Sequence, residues 1–276
     1  MDFTYAKYST LLSALKNAGY AFQTFEEFME FPAQKVIILR HDVDKRPDNS
    51  LLFAKIESSM NIKASYHFRI GGTAENPEQL INIRGLGHEI AYHYEDLSRI
   101  VKRKRVDETV LKNAFEAFCR NLNFFRKYYP VKVASMHGDP TSSTDNRNLW
   151  KTFDYKSEGI LCEPYYDIDY SAVLYITDTG RTWNNKKINM RDKPEPGIGI
   201  TSGATLSDSF VFNSTSDIIC AAKMGLLPSV VIINTHPQRW NDNLFFWLAE
   251  LVMQKMKNCV KYFIILYRNF KRTIKS

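Results

Sequence analysis

The chain has no apolar run long enough to cross a bilayer. Its most apolar C-terminal stretch, Val260 to Tyr267, is short and contains Lys261, whereas a spanning helix needs about 20 apolar residues. The opening, MDFTYAKYSTLLSALKNAG, lacks the basic start and apolar middle of a secretory signal and reads as an amphipathic helix. On that ground the protein is expected in the cytoplasm. Cysteine is sparse. The four residues Cys119, Cys162, Cys220 and Cys259 are scattered with no paired spacing. That argues against a zinc ribbon or a disulfide frame and fits buried free thiols in a reducing compartment. Internal repeats, low-complexity tracts and domain-dividing linkers are also missing. One domain over residues 1–276 is expected, with a helical lead-in over 1–34 and a C-terminal helix and basic tail over 243–276.

What is present is enough for a packed core: 44% apolar and 13% aromatic residues, which makes disorder a poor reading. The net charge of +7 is uneven, much of it in Lys102–Arg105 and in the tail from Lys261 to Lys275. Such clusters read first as a solvated helix face and tail, and second as a contact for anionic lipid, nucleic acid or a phosphorylated substrate. No nucleic-acid-binding module is recognisable, so no specific nucleic-acid partner is expected. A peripheral membrane contact through the basic tail is kept as a partner expectation.

Leu11, Leu12 and Leu15 predict an opening helix closed near Gly19, and periodicity predicts further helices near residues 25–30, 47–60, 77–87, 107–127, 217–224 and 244–257. In the 47–60 helix Leu51, Leu52, Ala54 and Ile56 are taken as the inner side. Short β-branched or apolar runs predict strands at 35–40, 63–69, 88–93, 131–137 and 229–234. Irregular strands and long loops are expected over 149–214, including YSAVLYIT and the Pro/Gly-rich RDKPEPGIG. Strand and helix alternate with short connections, the pattern of a parallel α/β layout.

Histidine is used six times. His41, His93, His137 and His236 fall at or just after the C-terminal end of a predicted strand; His67 lies inside one and His88 begins one. In parallel α/β folds that edge is where ligands bind. Any one of these histidines alone is more often structural, but four on one edge point to a site. The first of them stands in ILRHDVDKRP, residues 38–47, where an apolar run ends in a histidine and two carboxylates. In an extended strand alternate side chains share a face, so Asp42 and Asp44 point together and His41 points away. Two neighbouring carboxylates repel unless a cation or a shared proton lies between them. His93 and Glu95 form a similar alternate pair.

The set HDVD, GLGHEIAYH and a late apolar strand ending in THP resembles the polysaccharide deacetylases of carbohydrate esterase family 4, over roughly residues 36 to 240. HDVD with GHEIAYHYE, MHG, YITDTGRTW and THPQRW resembles a divergent branch associated with bacterial surface-polysaccharide synthesis. The resemblance implies an α/β fold, a distorted, incomplete (β/α) barrel of about seven parallel strands. It implies one divalent metal ion, expected to be Zn²⁺, and an N-acetylated sugar or sugar precursor as substrate. Carried over by position, Asp42 would be the general base and His236 the general acid, with Asp44 and His93 as metal ligands. The family's further metal histidine falls at Leu97 in this chain. The missing ligand would then come from His137, with Glu95, His88 or water as alternatives. The family's arginine motif is replaced by MHGDP, and Asp178 and Trp183 in DTGRTW would replace its Asp–Trp element.

These assignments imply metal-dependent hydrolysis of a linear amide, with His41, Arg69, Glu95, Asp178 and Trp183 as substrate contacts or supports. Trp183 and the tyrosines Tyr165 and Tyr175 would offer a sugar ring an apolar face. Two other readings stay open at this point. One is a barrel that has lost its metal and binds a glycan or docks to membrane machinery. The other is a glycosyltransferase in which Asp42-Val43-Asp44 is an Asp-x-Asp metal motif, although this leaves His93, His137 and His236 unexplained.

Overall fold

The structure is a computed structural model that describes residues 1–71, 77–101, 105–138, 142, 144–183 and 205–275; for 261 and 263–275 only the backbone is described. The Pro/Gly-rich RDKPEPGIG, most of the Lys102–Arg105 cluster and the side chains of the basic tail lie outside what is described.

Helix α1 (Tyr5–Asn17) opens under a Thr4 cap and buries Tyr8, Leu11, Leu12 and Leu15. A short strand β1 (Ala21–Gln23) and helix α2 (Phe25–Glu30), opened by a Thr24/Glu27 capping box, follow. Strand β2 (Val36–Val43) is buried along its whole length. Then come α3 (Pro47–Ser59), β3 (Ser65–Phe68), α4 (Pro77–Gly85), β4 (Glu89–Tyr94), α5 (Asp96–Val101), α6 (Glu108–Arg126) and β5 (Ala134–Met136). The last part holds α7 (Pro164–Asp167), β6 (Leu174–Thr177), α8 (Thr215–Lys223), β7 (Val230–Thr235) and α9 (Leu244–Lys275).

The strands form one seven-stranded parallel sheet in the order β5-β4-β3-β2-β7-β6, with β1 paired to the beginning of β2. The sheet curls into an incomplete barrel with helices outside, and no ladder joins β5 to β6 among the described residues. This is the α/β fold class expected from the motifs. Two cores result, one on each face. Val36 and Ile38 of β2 join Ala91, Val133, Tyr175 and Ile232 in the interior. Ile37, Leu39 and Val43 join the larger core beneath the helices. Strand alternation therefore decides which side chains enter the barrel.

Several elements differ from the sequence-based expectation. β1 and α5 were not anticipated, and α9 runs to Lys275 rather than ending near 257. The inner side of α3 is Ser50, Phe53, Ala54 and Glu57, while Leu52 is 44% exposed. The reason is electrostatic. Glu57, fully buried, accepts hydrogen bonds from Tyr8 Oη and Tyr66 Oη and sits 2.7 Å from His41 Nε2. These bonds fix the rotation of α3 on β2 against the pull of its leucines. Glu57→Ala would leave three buried polar partners unmatched and should cost about 3–5 kcal/mol, whereas Leu52→Ala should stay within about 0.5 kcal/mol; urea midpoints of the two variants check this.

Glu89 opens β4 at the closed end of the barrel, with Glu26 N donating to its carboxylate at 3.0 Å. Burial pushes its pKa up to about 7, against hydrogen bonds from Ser65 and Glu26 that lower it. The raised value means that the native state holds the proton more tightly than the unfolded chain. Stability from this group is full below about pH 4.5 and falls as pH rises toward 7, by up to about 3 kcal/mol. Glu89→Gln should therefore gain on the wild type between pH 4.5 and 7, as read by denaturant titrations at several pH values.

Candidate functional site

The inner face of β2 changes character along its length. Val36 and Ile38 fill the lower interior; Arg40, Asp42 and then Asp44 follow at the upper end. Register brings partners to the same level. Asp42 lies beside His67 of β3, which lies beside Ala91 of β4, and His93 lies beside Ser135 of β5. Asn234 of β7 lies beside Arg40, so His236, two residues on, emerges at the same rim.

Asp42 is 2% exposed and fixed from two sides. Arg40 donates from Nε to Oδ1 at 2.8 Å and from Nη2 to Oδ2 at 3.2 Å, and Asn234 Nδ2 donates to Oδ2 at 2.9 Å. Burial alone would raise its pKa, but Arg40, His93 and His236 outweigh it and hold the carboxyl well below the usual range. Asp44 is also held low, because His137, His236, His93 and Arg69 together outweigh burial.

Three histidines face these carboxylates, and two of them, His93 and His236, have the far nitrogen anchored. His93 Nδ1 lies 2.9 Å from the Ser135 carbonyl, so Nδ1–H donates there and the Nε2 lone pair faces inward, 3.8 Å from Asp42 Oδ2. Burial lowers the His93 pKa to about 4 despite Asp42, which keeps the ring neutral. His137 places Nε2 3.7 Å from Asp44 Oδ1, while Nδ1 lies 3.1 Å from Glu95 Oε2, off the line of a good hydrogen bond. Glu95 is fixed by Arg69 Nη2 at 2.6 Å. Burial would raise its pKa, but His137 and Arg69 bring it down to about 2. His236 Nδ1 lies 2.7 Å from Asp178 Oδ1, and Nε2 lies 3.9 Å from both Asp42 Oδ2 and Asp44 Oδ2. Asp178 is itself held by Arg239 and by Trp240 Nε1, each at 2.8 Å.

A divalent cation fits these residues. Asp44, His93 and His137 offer ligand atoms that all lie within 4.8 Å of one another. The donor set of one carboxylate and two imidazoles suits zinc and related ions, and anchored outer nitrogens are the usual support of metal-ligating histidines. A second group, Asp42, His67 and His93, meets the same distance limit. Its carboxylate already accepts from Arg40 and Asn234, so the rim group is the better seat.

Among the anticipated residues, Asp42, Asp44, His93, His137, His236, Arg69, Glu95 and Asp178 gather at this rim. His41 does not. It faces the helices, between Thr235 Oγ1 at 2.7 Å and Glu57, because it alternates with Asp42 along the strand. Trp183 is also away from the site. It is 3% exposed, packs with Phe3 and Trp240, and donates to Thr215 Oγ1, so it offers no platform to a sugar. Tyr165 and Tyr175 are likewise buried, Tyr165 against Arg40 and Arg147 and Tyr175 beside Asn234. His88 is unsuited as a ligand, since its ring bonds the Ala54 carbonyl and Ala64 N. Leu97 is fully buried in α5. Arg40 and His67 were missed. Counting alternate positions back from Asp42, and back from Arg69, would have found both.

No protein-family model matches the chain, and no curated protein matches it in sequence. Solved structures do. A Streptococcus mutans CE4 esterase is 16% identical with a TM-score of 0.44, the match covering 86% of this chain and 87% of that one. A CE4 family pseudoenzyme from Bacillus anthracis is 11% identical with a TM-score of 0.41; the match covers 82% of this chain and spans 62% of the pseudoenzyme's length. A family 4 carbohydrate esterase from Bacillus anthracis is 12% identical with a TM-score of 0.38, the match covering 88% of this chain and 83% of that one. All three belong to the family that the sequence motifs resemble.

Elemental analysis of the purified protein should find close to one zinc or similar ion per chain. Asp44→Ala and His93→Ala should each weaken zinc affinity by at least about 100-fold, and His137→Ala by at least about tenfold. Full retention of the ion in His93→Ala would rule out the rim group as its seat.

Proposed function

We propose that this chain is a metal-dependent hydrolase that removes an N-acetyl or related acyl group from a sugar, with Asp42 as general base and His236 as general acid. The observation that supports this reading is that His236 Nε2 lies 3.9 Å from Asp42 Oδ2 and from Asp44 Oδ2, beside the candidate metal group, with Asp42 and His236 each oriented by a buried partner.

Bound by Asp44, His93 and His137, a Zn²⁺-like ion supplies Lewis acidity that acidifies water and polarises a carbonyl. The protein supplies the rest. The gap of 3.9 Å from His236 Nε2 to each carboxylate is too long for a hydrogen bond and leaves room for a reacting group between them. Asp42, ionised and held by Arg40 and Asn234, takes a proton from the attacking water as its oxygen bonds to the amide carbon. His236 donates Nε2–H to the sugar nitrogen as the C–N bond breaks. The products are a carboxylic acid and an amine. Asp178 holds the imidazole in the tautomer that carries a proton on Nδ1 and steadies the cationic ring, the role of a buried carboxylate behind a catalytic histidine.

Loaded with zinc or cobalt, the protein should release acetate from an N-acetylated sugar, read by amine or acetate detection. Asp42→Asn and His236→Ala should each lower kcat by about 10²- to 10⁴-fold while leaving the metal bound. A chain that keeps its ion yet releases no acyl group from any sugar tested would favour the glycan-binding or docking barrel instead. Wild-type rates in both variants would remove these two residues from the mechanism.

A further inference from the structure

A cavity of about 320 Å³ opens beside the rim, between the β2–α3 turn, Arg69, the segment after β7 and the first half of α9. Asp44 forms part of its wall, so it adjoins the candidate metal group. Its charge is lopsided. Lys45 and Arg46 reach it from the turn and Lys257 from α9, and none of the three has a carboxylate partner among the described residues. Arg69 and Arg239 complete the wall but are held by Glu95 and Asp178. Opposing them are Asp44, which a bound cation would neutralise, and Glu250.

The local backbone adds to this. Arg46 adopts a left-handed conformation, φ 50°, which side chains other than glycine seldom take and which clusters at ligand sites. The strained turn sends two consecutive cations out immediately after Asp44. All three unpaired cations are exposed, and Arg46 also lies over the Phe246 ring at 5.9 Å, so water solvates them; gathered around one concave space, they set up a local positive potential that draws an anion in. Hydrolysis of a neutral N-acetyl sugar has no use for such a group.

We infer that this cavity binds a phosphate group carried by the substrate, so that the sugar is presented as a phosphate ester or diphosphate. The inference rests on the function proposed above, because it places the acyl group at the rim and the phosphate in the adjoining cavity. A soluble sugar phosphate and a lipid-carried sugar diphosphate present the same chemistry, and the experiment separates them.

Calorimetry on the full chain, zinc-loaded and metal-stripped, would compare N-acetylglucosamine with N-acetylglucosamine 1-phosphate. Asp42→Asn serves as background to block turnover. The phosphate should tighten binding by at least about tenfold, as expected for charge-assisted hydrogen bonds. That margin should collapse in Lys45→Ala/Lys257→Ala and persist in Lys112→Ala, which removes an exposed charge from α6. Equal binding of both sugars with no selective capture of carrier vesicles in the second arm overturns the inference, as does a margin that survives the double variant. A margin seen only with zinc also overturns it, since the ion and not the cavity would then hold the phosphate. In the second arm, phosphatidylcholine vesicles with and without polyprenyl diphosphate N-acetylglucosamine are compared. Capture of the carrier vesicles alone assigns the phosphate to a lipid source and supports the site; equal capture of both, with no soluble binding, overturns it. Acetate release is a separate readout. A phosphate margin without hydrolysis would sink the proposed reaction while the cavity assignment stood, and hydrolysis without a margin would do the reverse.

Discussion

Asp42, buried on the inner face of β2, and Asp44, just past the end of that strand and partly buried, stand two residues apart. Their repulsion is the constraint around which the upper barrel is built. Arg40 on the same strand takes one carboxylate in a two-point grip. His93, His137 and His236, from three other strands or their ends, turn a nitrogen toward the pair. His93 and His236 are anchored behind by the Ser135 carbonyl and Asp178, and Glu95 stands 3.1 Å behind His137. Without those anchors the rings could rotate to bond the carboxylates directly. With them, the centre is left partly unsatisfied, which is the state a cation-binding site needs.

The other face of β2 solves a parallel problem with no opening to solvent. His41 lies between Thr235 and Glu57, and Glu57 gathers Tyr8 from α1 and Tyr66 from β3. This closed network ties α1, α3, β3 and β7 to the strand that carries the carboxylates. Its members are fully buried, so any shift of β2 would break several hydrogen bonds at once. A rigid outer network thus limits movement of the inner site, and one tetrapeptide, HDVD, contributes to both through strand alternation alone.

Much of this was legible in the sequence. The alternation of strand and helix gave the parallel α/β class, and the strand-end position of His93, His137 and His236 gave the rim. What escaped depends on contacts between distant segments. Nothing local to α3 shows that Glu57 faces inward, because its partners come from residues 8, 41 and 66. Trp183 follows Asp178 closely in sequence, yet the chain turns between them, with Gly180 and Arg181 both at positive φ. The tryptophan is thereby carried into the packing around Phe3 and Trp240. A motif that reads as one unit thus separates into a carboxylate at the site and an aromatic remote from it. His67 was set aside as a mid-strand residue, although its parity with Asp42 across the ladder places it inside the barrel.

The grip of Arg40 on Asp42 has a chemical consequence. A carboxylate held far below its ordinary pKa is fully ionised and well oriented, but it is a poor proton acceptor. Transfer from ordinary water to such a base is steeply uphill. The proposed step becomes accessible only if the water is itself made acidic, which is what a cation held by Asp44, His93 and His137 would supply. In the proposed reaction the base and the ion would therefore not be independent contributions. Fixing Asp42 with a guanidinium makes sense in a site that carries a metal, and would disable a site that does not.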